Sequence, residues 1–195
     1  MRIYGITEQL PRKETKTTDK GRKQILTKMI NHLSPGSKDM DGFSIYKGKY
    51  CFLDGHRVFI SDTDLGFKAS SKQFKLNNLF EEETESTITI PREYVEYIKK
   101  LLSKEHRKPM IIEDDGFFIA FNPEFLLDAI KFSNSETFYY SKKKGVSNWL
   151  KEYPSLHRPL YQKDANGNVL TVTLPVTIDP MIDDLERSLE YVEIE

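Results

Sequence analysis

Residues 43–61 read Phe43-Ser44-Ile45-Tyr46-Lys47-Gly48-Lys49-Tyr50-Cys51-Phe52-Leu53-Asp54-Gly55-His56-Arg57-Val58-Phe59-Ile60-Ser61. Apolar and aromatic residues dominate three short runs, 43–46, 49–53 and 56–60, separated by Lys47-Gly48 and Asp54-Gly55. A two-residue X-Gly link between apolar runs signals a tight hairpin, because glycine accepts the positive φ such turns require. The stretch predicts a three-strand antiparallel meander.

Toward the N-terminus, residues 20–33 place Ile25, Leu26, Met29, Ile30 and Leu33 at helical spacing, and Pro35-Gly36 closes the helix. A strand over 2–6 precedes it. Toward the C-terminus, residues 66–85 are polar, end in Glu81-Glu82-Glu83-Thr84-Glu85, and read as a connecting loop. The pattern then restarts. A strand at 87–90 leads through Pro91 into a helix over 92–104 with Tyr94, Val95, Ile98, Leu101 and Leu102 on one face. Strands at 110–112 and 117–121 flank an Asp115-Gly116 turn. A third restart has Asn122 as helix cap and Pro123 at the first helical position, then a helix over 124–132. A strand at 138–140, an irregular stretch at 141–158 holding Trp149 and Tyr153, and a hairpin of 158–162 with 169–176 complete the pass. The rhythm is strand, helix, short strands; no sequence repeat accompanies it.

The 195 residues are 38% hydrophobic and 30% charged, an ordinary globular composition and not that of a disordered chain. The net charge of -1 lacks the excess of Lys and Arg typical of a nucleic-acid-binding domain, although charge can be segregated between faces. Residues 12–23 are basic, with Arg12, Lys13, Lys16, Lys20, Arg22 and Lys23 against Glu14 and Asp19; residues 179–195 hold seven acids against Arg187. These read as two solvated termini, or as a basic DNA-facing start and an acidic tail kept off DNA. Cys51 is the single cysteine, which argues against a disulfide scaffold and fits a reducing cytosol. No segment reaches the ~18 apolar residues of a membrane helix, and no secretory leader is visible, so a cytoplasmic protein without a membrane partner is expected.

No Gly-rich phosphate loop, nucleophile elbow, His-Glu-x-x-His or cysteine pair occurs, and His32, His56, His106 and His157 have no metal spacing. Asp114-Asp115 reads as a turn. No catalytic residue, metal site or cofactor is expected, and the protein is read as a non-enzyme.

Three strings in order resemble the bacterial DNA polymerase III β subunit, the DNA sliding clamp. Residues 53–58, Leu53-Asp54-Gly55-His56-Arg57-Val58, are similar to the family's Asp-Gly-His-Arg hairpin. Residues 86–102 resemble the strand and helix that follow it. Residues 119–131, from Ile119-Ala120-Phe121-Asn122-Pro123 to Lys131, resemble the last helix of the family's final domain, and Leu174-Pro175-Val176 its closing segment. The resemblance runs from about Arg22 to Ile178. Leu53 stands where the family has Thr, Thr177-Ile178 where it has Arg, and the first of its domains has no counterpart.

The resemblance implies an α+β, DNA-clamp-like fold of strand-helix-strand-strand-strand units. One unit is expected over 1–80 with the hairpin, further units over 81–178, and an acidic tail over 179–195. It implies a replication accessory protein that binds double-stranded DNA non-specifically and receives polymerase or clamp-loader peptides, as a homo-oligomer. The peptide pocket would comprise Gly55, His56, Arg57, Val58, Leu174, Pro175 and Val176, with Val58, Leu174 and Val176 as an apolar floor and Arg57 meeting a peptide carbonyl or carboxylate. Read plainly, the same residues are the start of an exposed strand and a Pro-containing edge strand. DNA contacts would come from Arg22, Lys23 and Lys28 on the first helix and Lys99, Lys100 and Lys104 on or after the second; read plainly, these are solvated helix faces. Ile182, Leu185, Leu189 and Val192 have amphipathic helical spacing, for a tail helix that packs on the body, covers the pocket or seals a subunit interface. A monomeric clamp-like interaction module, or clamp mimic without DNA encirclement, is the alternative.

Overall fold

The computed structural model describes residues 1–14, 16–74, 84, 86–102, 109–141, 146–147, 155–156, 159–176 and 191–194. A short strand β1 (Arg2–Tyr4) precedes helix α1 (Asp19–Asn31), and a 3-10 turn at Pro35–Met40 leads into the decisive stretch. There β2 (Ser44–Tyr46), β3 (Lys49–Leu53) and β4 (Arg57–Ser61) form the expected meander. Lys47 and Gly48 have φ of 47° and 76°, the two positive values of a type I′ turn.

The second turn sits one residue later than the sequence suggests. Leu53 pairs with Val58, and the Asp54 amide donates to the Arg57 carbonyl at 3.2 Å, so Gly55 and His56 form the loop. The Asp54 carboxylate explains the shift. It accepts the amides of His56 at 2.9 Å and Arg57 at 2.8 Å, which holds Asp54 at the strand end and leaves the positive φ to Gly55.

The restarts follow. β5 (Ser86–Thr89), α2 (Arg92–Leu102), β6 (Met110–Asp114) and β7 (Phe117–Phe121) form one, with a second type I′ turn at Asp115-Gly116. α3 (Pro123–Ser133) begins where its cap predicts, the Asn122 side chain accepting the Glu124 amide at 2.9 Å, and ends at Asn134 in the left-handed conformation. β8 (Thr137–Tyr140), β9 (Val146–Ser147), β10 (Ser155–Leu156), β11 (Leu160–Lys163), β12 (Val169–Thr173) and β13 (Tyr191–Glu193) complete the described elements. Trp149, Tyr153 and the acidic run at 81–83 and 85 lie outside the described residues.

Among the described residues the strands form two sheets. One runs β13-β1-β6-β7-β10-β9, the other β2-β3-β4-β12-β11-β8-β5. The long-range pair β4–β12 is antiparallel, with Val58 opposite Val172 and Arg57 opposite Thr173. α2 and α3 cover the larger core, where Val95, Ile98, Leu126 and Ile130 meet Ile112, Ile119 and Phe138. α1 covers the smaller one, where Leu26 and Met29 meet Phe52, Phe59 and Phe132 of α3. α3 thus joins both cores, which is why it is apolar around most of its circumference.

Val192, expected on a tail helix, lies in a strand instead. It pairs with Ile3 and is buried while Tyr191 and Glu193 point out, the period of a strand and not of a helix. The other residues of that expectation, Ile182, Leu185 and Leu189, lie outside the described residues.

Candidate functional site

The two halves of the expected pocket meet through the sheet. Beyond the β4–β12 pairing, the Leu174 amide donates to the His56 carbonyl at 2.9 Å, and two residues on the Val176 amide donates to the Ala120 carbonyl of β7 at 2.9 Å. Residues 174–176 therefore cross from one sheet to the other. Leu174 is 40% exposed, Gly55 and His56 are exposed, and Val58, Pro175 and Val176 are half-buried. Val176 rests on the small cluster of Tyr4, Ile111, Phe118 and Ala120.

Arg57 is committed otherwise than expected. Its guanidinium is buried and held between two carboxylates: Nε donates to Asp54 at 2.9 Å, one terminal nitrogen lies 2.8 Å from the same carboxylate, and the other donates to Asp128 of α3 at 2.8 Å. The Phe125 ring lies under it, 4.1 Å from ring centroid to guanidinium carbon, and the same ring stacks with His56 at 6.0 Å. Arg57 fastens the hairpin to α3 and is not turned out toward a peptide. Burial pushes the Asp128 carboxyl above the usual carboxylate range, and the charge of Arg57, then those of Lys28 and Lys99, only partly offset it. The linear pattern gives Phe125 and Asp128 no role at this site. An acid within Leu126-Leu127-Asp128-Ala129-Ile130 is the available signal, since a charge in an apolar helix needs a partner.

The candidate DNA-contacting residues divide. Lys28 of α1 and Lys99 of α2 converge on Glu124 of α3; Lys28 bonds it directly and Lys99 lies 3.6 Å away. Burial lowers the Lys99 ammonium pKa, and the neighbouring Lys28 lowers it further. Arg22 donates to the Phe132 carbonyl at 2.9 Å and pairs with Asp19, and Lys23 lies over the Phe67 ring. Lys100 is exposed. Lys104 lies outside the described residues. Beside them Glu96 bonds Arg92 at 2.9 Å and lies 3.6 Å from Lys131. Burial pushes the Glu96 carboxyl upward, but the Arg92 hydrogen bond and the surrounding positive charges outweigh it and hold the pKa below the usual range.

A structure from Eubacterium rectale described as a DNA polymerase III beta subunit superposes on the chain with a TM-score of 0.53 at 18% identity, over 89% of this chain and 68% of that one. The chain has the fold of a DNA sliding clamp. A DNA polymerase III beta chain from Streptococcus pneumoniae aligns at 15% identity with a TM-score of 0.49, over 88% of this chain and 67% of that one. No protein-family model and no curated protein sequence matches the chain. In this clamp fold the helices α1, α2 and α3 carry the Lys28–Glu124–Lys99 cluster, and the β3–β4 hairpin meets residues 174–176 at the Leu174–His56 bond. Among the described residues no helix is long and apolar enough to cross a membrane, and no group of three or more His, Cys, Asp or Glu is arranged to hold a metal ion.

Proposed function

We propose that this chain is a sliding-clamp-like replication accessory protein that does no chemistry itself. It contacts double-stranded DNA without sequence preference through α1 and α2, and receives an extended peptide of a polymerase or clamp loader on the ledge between His56 and Val176. The observation that carries the reading is the Leu174–His56 main-chain bond within a clamp fold, because it unites two segments more than 110 residues apart into one surface. Leu174, Val58, Pro175 and Val176 supply an apolar floor for Leu or Phe anchors, and His56 over Phe125 supplies an aromatic wall. Arg57 shapes this surface from beneath.

Non-specific DNA contact asks only for Lys and Arg side chains at phosphate spacing, and such contacts are salt-sensitive. Encirclement of a duplex requires several copies, so a homo-oligomer is part of the proposal. A second reading, a monomeric module that binds clamp-seeking peptides without encircling DNA, draws on Glu124, which partly neutralises Lys28 and Lys99.

Light scattering and DNA retention test the pair. An oligomer retained on nicked circular DNA and lost from the linearised form supports the clamp; a monomer retained by neither supports the module. For the ledge, a labelled peptide with Leu and Phe anchors is titrated onto the protein and onto Leu174→Asp. Equal affinity for both sinks the pocket.

A further inference from the structure

The basic segment before α1 forms one wall of a groove of about 450 Å³ at the end of the helix layer where α2 begins and α3 ends. Four of its lining side chains are basic, Arg12, Lys13, Lys16 and Arg92, against Glu14 and Glu136. The wall is anchored at both ends. On one side the Leu10 amide donates to the Tyr94 hydroxyl at 3.1 Å, and that hydroxyl donates to Gln9 at 2.7 Å. On the other, Thr17 and Asn134 exchange two hydrogen bonds, the Thr17 amide to the Asn134 side chain at 2.6 Å and the Asn134 amide group to the Thr17 carbonyl at 3.1 Å. The left-handed Asn134 that ends α3 thus fixes where the basic segment runs.

Glu136 already serves the start of α2. One carboxylate oxygen accepts the Arg92 amide at 2.9 Å, and the other lies 3.6 Å from Arg12. An incoming anion therefore meets side-chain cations and not an open helix end. Lys131, next to Ile130 of the groove lining, lies 3.6 Å from Glu96 of α2.

We infer that this groove is a phosphate-binding site and that its ligand is the phosphodiester backbone of a duplex lying on the helix face. The inference rests on the DNA reading above for its ligand, and on the groove alone for its chemistry. Arg12, Lys13 and Lys16 are exposed, so replacing them leaves the cores untouched. The segment acts as an arm that extends the contact beyond the helices.

Two measurements on the full chain test it. Inorganic phosphate is titrated while the backbone amides of Asn134, Ser135 and Thr137 are followed by NMR, in the wild type and in R12Q/K13Q/K16Q. Saturable shifts in the wild type that vanish in the variant are expected; shifts absent, or equal in both, overturn the site. Duplex affinity is then measured against salt. Because each lost phosphate contact removes about 0.9 from the slope of log K against log salt, the variant is expected to lose about 2 to 3. An unchanged slope in a wild type that does bind DNA overturns the groove as a DNA contact and leaves the helix-face reading standing. Phosphate shifts without any duplex binding sink the DNA reading and support the groove as a site for a smaller phosphate ester.

Discussion

Glu124 and Asp128 sit one turn apart on α3, and their surroundings give them opposite parts. Glu124 is at the surface, with Lys28 and Lys99 reaching it from two other helices. Asp128 is under the hairpin, with a side chain 9% exposed and Arg57 as its direct partner. A carboxylate in water-washed surroundings gains little from a nearby ammonium, since the solvent screens both and long side chains lose freedom when paired. A buried carboxylate has lost its water, so the loss of its partner is severe. The same pairing chemistry thus tunes a surface in one place and locks two elements together in the other.

The sharpest way to break this contrast is Arg57→Ala. It strands Asp54 and Asp128 without their cation and is expected to destabilise the protein by about 3–5 kcal/mol in denaturant unfolding, the usual cost of breaking a buried pair. A loss below about 1 kcal/mol, the range of surface pairs, would remove the distinction.

Asp128 also makes stability depend on pH. The folded-state pKa of Asp128 is raised, so the folded protein binds this proton more tightly than the unfolded chain. The associated stability is present below the ordinary carboxylate range and is lost as pH rises through the raised folded value. Asp128→Asn should flatten the stability profile across that window, just above the usual carboxylate pKa. Parallel wild-type and variant profiles there would show that Asp128 is not the group responsible.

Glu124→Gln gives a smaller, functional readout. Freeing Lys28 and Lys99 from their shared carboxylate is expected to raise low-salt duplex affinity by a few-fold, about 0.5–1 kcal/mol, on the scale of an exposed pair. Reduced affinity would mean that Glu124 orients the lysines and does not compete for them. The smallest effect is expected for Lys131→Ala, which removes a 3.6 Å contact to Glu96. Thermal unfolding should register at most about 0.5 kcal/mol, because Arg92 keeps the closer bond to Glu96.

Local rules placed most of the elements. The meander at 44–61, the cap at Asn122-Pro123 and the type I′ turns at Lys47-Gly48 and Asp115-Gly116 depend on neighbours within a few residues, which a linear reading captures. The second turn falls at Gly55-His56, one residue past the linear pattern, because the Asp54 side chain bonds backbone amides two and three residues on. In the linear pattern Val192 fits a helix, because a single apolar residue suits either period until its partner strand is known. The strings resembling the clamp family named the two halves of the ledge, but no local rule states that Leu174 bonds to His56.

Local sequence is enough to set the strands of 43–61, the Lys47-Gly48 turn, the strand and helix of 117–133, the lack of cysteine pairs and the segregation of positive charge before α1. What the charges do is set by packing. Whether an arginine faces a peptide, as Arg57 was expected to, or sits between two carboxylates depends on burial, and burial is set by residues distant in sequence. Asp128 lies 71 positions from Arg57, and Asn134 lies 117 from the Thr17 it holds. Electrostatic strength follows the local loss of water, and that is a property of the packed molecule.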